Sequence, residues 1–126
     1  MITMVCFRTS GTEYCLPVAA TRAVRTTSGL ISLPDPRHDV AGLLPGQPPL
    51  TVLSALGAGG SHVLVIDVGD DRFGLLVDEV TGLRRFDDDD VRPTPDGRSH
   101  ALVSGTVQTD GRLMLIADPD ALAARL

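Results

Sequence analysis

Apolar positions in this chain fall in short runs, broken every few residues by glycine, proline or acidic pairs, and they seldom hold a helical period. The clearest run is Arg72-Phe73-Gly74-Leu75-Leu76-Val77-Asp78-Glu79-Val80. A strand with one wet face alternates polar and apolar residues, whereas an unbroken run is buried on both faces. Gly74 inside the run marks a bulge, a bend or a close approach of another element. The same theme returns in Val103-Ser104-Gly105-Thr106-Val107 and in Leu113-Met114-Leu115-Ile116-Ala117-Asp118.

The remaining pattern predicts further strands and few helices. Met1 to Arg8 and Glu13 to Val18 form a hairpin around Ser10-Gly11, which puts Cys6 opposite Cys15 on adjacent strands. Val18 to Arg25 contains helix formers but little length, so at most two turns are expected there. Leu30 to Leu33 reads as a short strand stopped by Pro34 and Pro36. Val40 to Leu44 is apolar, Pro45-Gly46 forces a turn, and Leu50 to Leu56 gives another strand. His62 to Val68 and Arg72 to Val80 are joined by Gly69-Asp70-Asp71. Arg92 to Gly97 reads as an exposed connection, and Ala101 to Val107 pairs with Leu113 to Ala117 across Asp110-Gly111. Asp118 is an N-cap with Pro119 at the first helical position, opening a short helix to about Arg125.

Many short strands with glycines inside them (Gly42, Gly74, Gly105) predict small, strongly bent barrels. The surplus of doubly apolar strands requires a second layer, such as another barrel packed against the first. The expected class is all-β with short helices, formed by residues 1–126 as one domain.

Composition narrows the function. Of 126 residues, 43% are hydrophobic, and the net charge is -5. The cations are all arginine and nowhere form the basic face that nucleic acid requires. No run reaches the roughly 18 apolar residues of a membrane helix, and Met1 to Ser10 lacks the organisation of a signal peptide, so a cytoplasmic location is expected. In that reducing compartment Cys6 and Cys15 are expected as two free thiols.

Candidate chemistry is sparse. Gly57-Ala58-Gly59-Gly60-Ser61 lacks the GxGxxG spacing of a phosphate loop and reads as a connector. Asp87 to Asp90 are adjacent carboxylates that repel one another, the mark of a solvated loop. Asp78 and Glu79 are sequence neighbours in a strand and point to opposite faces, so they do not form a catalytic dyad. Ser54, Ser61, Ser99 and Ser104 sit in no nucleophile turn, and His38, His62 and His100 fall in or beside loops. No catalytic residue, metal site or cofactor is expected.

Several segments in order resemble the CheW family of bacterial chemosensory adaptors: Tyr14-Cys15-Leu16-Pro17-Val18, Ile31-Ser32-Leu33-Pro34, Phe73 to Val80, and Val103-Ser104-Gly105 followed by Leu113 to Leu122. The resemblance implies two intertwined five-stranded SH3-like barrels around a shared apolar core. It also implies a non-catalytic scaffold that couples a CheA-type histidine kinase to chemoreceptor cytoplasmic tips, or to diverged equivalents of these partners. Alternatives are an interaction module with a partner outside chemotaxis and a small-ligand sensor. Carried onto this chain, the partner-binding positions are Ala23, Leu44, Pro45 and Gly46. Here the family's acidic residue is replaced by Ala23, its Arg before glycine is replaced by Pro45, and the Asp closing the next strand aligns with Ser54 or Leu53. With those charges gone, an apolar docking surface is expected.

Overall fold

The structure is a computed structural model that describes residues 1–32, 39–57, 60–93 and 102–126. Among the described residues, eleven strands form two sheets. One holds β1 (Ile2–Thr9), β2 (Thr12–Pro17), β8 (Glu79–Phe86), β9 (Val91–Pro93), β10 (Val103–Thr109) and β11 (Arg112–Ala117), in the order β8-β1-β2-β11-β10-β9. The other holds β3 (Thr21–Thr26), β4 (Val40–Leu44), β5 (Leu50–Leu53), β6 (His62–Val68) and β7 (Asp71–Val77), in the order β3-β6-β7-β5-β4. The first sheet thus has one strand more than the five expected per barrel. It is assembled from both ends of the chain, β2 and β11 pairing in parallel, with the second sheet inserted between them. That is the sense in which the barrels are intertwined.

Each sheet wraps a core of its own, and both cover a third. Met4, Cys6, Cys15, Phe86, Val107, Met114 and Ile116 fill the first barrel. Leu44, Leu50, Val52, Val63, Val65 and Leu76 fill the second. Val5, Phe7 and Leu16 from one sheet meet Leu64, Ile66, Phe73, Leu75 and Val77 from the other in the shared core. β7 therefore sends Phe73, Leu75 and Val77 into the shared core while Leu76 lies in its own barrel, which accounts for the missing alternation.

Gly74 occupies a close approach, with no register slip recorded in the pairing of β7 to β6. A Cβ there would lie 2.5 Å from Val63 Cγ1 and 3.2 Å from Val52 Cγ2.

Tertiary pairing redraws several expected boundaries. Between Val18 and Arg25, helix is limited to a 3-10 turn at Val18–Ala20, and Thr21–Thr26 is strand β3 instead. Its β-branched Thr21, Val24 and Thr26 suit a pleated surface, and β6 supplies the ladder that local propensity could not anticipate. The run Arg72 to Val80 divides at Asp78, where the chain leaves the second sheet and enters the first as β8. Asp78 secures that crossing: its N–H donates to the Arg8 carbonyl (2.9 Å), and its Oδ2 accepts from the Ser10 N–H (2.9 Å). Glu79 then pairs with Arg8 at 2.7 Å. These carboxylates are joints of the fold.

β5 ends at Leu53, and the helix spans Pro119–Ala123 (α1), shorter than expected. Ile31 makes one isolated bridge to Leu43, and the rest of the Leu30 to Leu33 expectation, at Leu33, lies outside the described residues. So do His38, Ala58, Gly59, Ser99, His100, Ala101 and the connection after Pro93. Asp118 caps α1 as expected, accepting from the N–H groups of Asp120 (3.1 Å) and Ala121 (3.4 Å), and Leu122 reaches the shared core. Asp87, Asp88 and Asp89 are exposed, in keeping with a solvated segment.

Replacing Phe73, which is 0% exposed, with alanine should cost about 3–5 kcal/mol, read by urea denaturation. Gly74→Ala would stabilise an ordinary strand, yet here overpacking against Val63 should destabilise by about 1–3 kcal/mol. A Gly74→Ala protein as stable as wild type would contradict the close approach.

Candidate functional site

The two barrels meet along a seam edged by β3 and β8, and both are outermost strands of their sheets. Their solvent faces are not wholly polar. Val18, Val24 and Leu83 are exposed by 41%, 48% and 64%. With Val80 and Ala23 they line a groove of about 310 Å³ at this seam. Exposed apolar side chains scattered singly need no explanation, but several sharing one concave surface mark a contact site.

A second groove of about 550 Å³ adjoins the first, since Arg22 and Ala23 line both. It is bounded by β3, by the segment from Gly46 to Leu50 and by the β6–β7 turn. Its walls are charged. Arg22, Arg25 and Arg72 line it together with Asp67, Asp70 and Asp71. Arg72 Nε donates to Asp67 Oδ1 at 2.7 Å, and Arg22 Nη1 approaches Asp67 Oδ2 at 3.4 Å. The hydrogen bond from Arg72, reinforced by both arginine charges, holds the Asp67 carboxyl below its ordinary value of 3.8. The same bond raises Arg72.

Ala23 and Gly46 therefore come together in one groove, and Pro45 is exposed beside it in sequence. Leu44 is different: its side chain is fully buried in the second barrel's core. The surface around Ala23 is more charged than the loss of the family's Glu and Arg suggested. Sequence inspection missed Arg22, Asp67 and Arg72, which lie on three strands and share no motif. The one available signal was that Asp67 and Arg72 flank a tight turn, facing each other across a hairpin.

A polar cluster elsewhere supports the strand crossing. Ser61 Oγ lies 3.1 Å from His62 Nδ1, and both approach the Asp78 carbonyl at the strand crossing. Among the described residues, no group of three or more His, Cys, Asp or Glu is placed to hold a metal. No described helix is long and apolar enough to cross a membrane.

Paired barrels with an amphipathic seam define a protein-interaction scaffold. The family model described as a CheW-like domain matches residues 44–126. The chain is 26% identical over 132 residues to a chemotaxis protein CheW of Rhizobium meliloti (strain 1021), covering 94% of this chain and 85% of the relative. Its fold is similar to the crystal structure of scaffolding protein TtCheW from Thermoanaerobacter tengcongensis, with a TM-score of 0.81 at 19% identity, over 93% of this chain and 88% of that one. The chain belongs to the CheW-like domain family and has the adaptor role of that family in bacterial chemosensory signalling.

Asp67 supplies a direct check of the charged groove. A carboxyl whose folded value is depressed contributes stability above its unfolded value and loses it as pH falls through the folded one. The Asp67 midpoint, followed by carboxyl NMR shifts, should lie below 3.8 and move back toward it in Arg72→Ala. An unchanged midpoint in that variant would mean the Arg72 contact is not formed in solution.

Proposed function

We propose that residues 1–126 form one CheW-like domain that works in the cytoplasm as a non-catalytic bridge between a CheA-type histidine kinase and chemoreceptor cytoplasmic tips. The observation carrying this reading is the seam groove, where Val18, Val24 and Leu83 offer contiguous apolar contact at the junction of the barrels. A receptor tip is a helical bundle in this reading, and one apolar helix face fits such a groove. The partner-binding positions are Ala23, Pro45 and Gly46, with Leu44 acting through the packing that holds Pro45-Gly46 in place.

Charge completes the surface. The family's Glu and Arg are absent at Ala23 and Pro45, but the Asp67, Arg72 and Arg22 cluster stands in the adjoining groove. Charged groups at an interface set partner choice and association rate more than fold stability. Partner association should therefore fall as ionic strength rises, because rim charges are screened within about 8–10 Å at physiological salt. The relocated charges also favour a second reading, a module whose partner is a diverged receptor or kinase outside chemotaxis.

Leu83→Asp gives the cleanest test, because the side chain is 64% exposed and its loss leaves the cores intact. Binding of receptor-tip and kinase fragments to wild type and variant would be compared by calorimetry at low and moderate salt. Receptor-tip affinity should fall at least about tenfold in the variant, equivalent to about 1.4 kcal/mol. Equal affinity in the two proteins would remove the seam from the docking surface. Wild type that binds neither fragment would favour the diverged partner.

A further inference from the structure

We propose that Cys6 and Cys15 form a peroxide-sensitive dithiol that closes to an intramolecular disulfide. The placement follows from the first hairpin. Ser10 and Gly11 have φ of 51° and 79°, so the turn between β1 and β2 is the two-residue type with both central residues left-handed. Thr9 pairs with Thr12 directly across that turn, and in such hairpins the flanking pair exchanges its backbone hydrogen bonds. Alternation then makes Arg8–Glu13 a non-hydrogen-bonded pair, Phe7–Tyr14 a hydrogen-bonded pair, and Cys6–Cys15 non-hydrogen-bonded again. Partners of that last kind have Cα atoms about 4.5 Å apart, within the separation of about 4.4–6.8 Å that a disulfide spans. Both cysteines are buried in the first barrel's core, where the strand pairing holds them in register.

Cys6 also lines a cavity. Cys6 faces Gly82 on β8 beside a register slip, and Gly82 has a φ of 140° that other residues rarely adopt. The absent side chain contributes to a cavity of about 170 Å³ lined by Cys6, Gly82, Arg84, Arg112 and Met114. A water molecule's share of liquid volume is about 30 Å³, so a hydroperoxide fits. Cys15 does not line this cavity. Burial raises the Cys6 thiol above its ordinary value, with Arg84 and Arg112 pulling it back, while burial pushes Cys15 up to about 12. Because Cys6 lines the cavity and Cys15 does not, Cys6 is the sulfur that meets the peroxide and Cys15 the one that resolves, and burial of both thiols makes the reaction slow because the thiolate is the nucleophile.

The chemistry balances with hydrogen peroxide as oxidant. The Cys6 sulfur displaces water from the peroxide O–O bond, giving a sulfenic acid, and the thiol proton leaves in that water. The Cys15 sulfur then attacks the sulfenic sulfur, the S–O bond breaks, and a second water carries away the Cys15 proton. Two thiols are oxidised, one peroxide is reduced, and two waters form. Gly82 and Leu83 also line the seam groove, so the modification lies one wall away from the docking surface.

The folded, reduced full chain would be treated with hydrogen peroxide, quenched, denatured, alkylated and mapped by mass spectrometry. Expected is a chain lighter by two hydrogens, with Cys6 linked to Cys15, neither alkylated, and both recovered after dithiothreitol. Cys15→Ser should stop at a Cys6 sulfenic acid that dimedone traps. Full alkylation of both cysteines after peroxide, sulfinic acid as the product, or disulfides between chains would each overturn the proposal. The wild-type map decides the matter even if Cys15→Ser does not fold.

Discussion

Strands that wall two cores at once are the constraint on which this structure depends. β1 turns Met4 and Cys6 into its own barrel and Val5 and Phe7 toward the other. β6 does the same with Val63 and Val65 on one side and Leu64 and Ile66 on the other. Each large apolar side chain fully buried contributes about 1.5–3 kcal/mol, so the shared layer is a major part of the stabilising burial. Neither barrel can lose its neighbour without exposing Phe7, Leu16, Phe73 and Leu75 together. The intertwined chain path enforces the same outcome, because the first sheet is closed by β8 to β11 only after the second has been inserted.

This arrangement leaves a seam with outermost strands on both sides, the surface proposed for docking. An outermost strand presents backbone groups and a half-wet face, which natural sheets usually protect with charge. β3 and β8 carry Arg22, Arg25, Arg84 and Arg85, yet Val24 and Leu83 remain exposed between them. The mixture suits reversible contact: apolar area for affinity, charge at the rim for choice of partner. In the proposed reading, the Asp67, Arg72 and Arg22 cluster supplies charge in the groove adjoining the two positions where the family's charges are absent. An exposed ion pair adds little to folding, about 0–1 kcal/mol, so the backbone is free of that substitution.

Much of the architecture was legible in residue order. The unbroken run at Phe73 to Val77 declared a strand buried on both faces, and Ser10-Gly11 set the register that opposes Cys6 to Cys15. Asp118-Pro119 announced the start of α1. These features are local: turn chemistry, capping and side-chain period act within a few residues. The candidate site was less legible. Ala23 and Gly46 were reached through family resemblance, while Arg22, Asp67, Arg72 and Leu83 carry no pattern that separates them from any solvated surface.

By itself, then, the sequence determined the class of fold, the need for a second apolar layer and the hairpin registers, because those depend on steric preferences and on which faces must leave water. Tertiary structure alone decided that Thr21 to Thr26 would be strand, that one apolar run would end at Asp78 and cross between sheets, and that Leu44 would be buried while Ala23 and Gly46 share a groove. These outcomes rest on partners distant in the chain, β6 for β3, β1 for β8, and the core side chains of β6 and β7 for Leu44. Long-range pairing supplies hydrogen bonds and burial that no local window contains, and so it overrides the local preference wherever the two disagree.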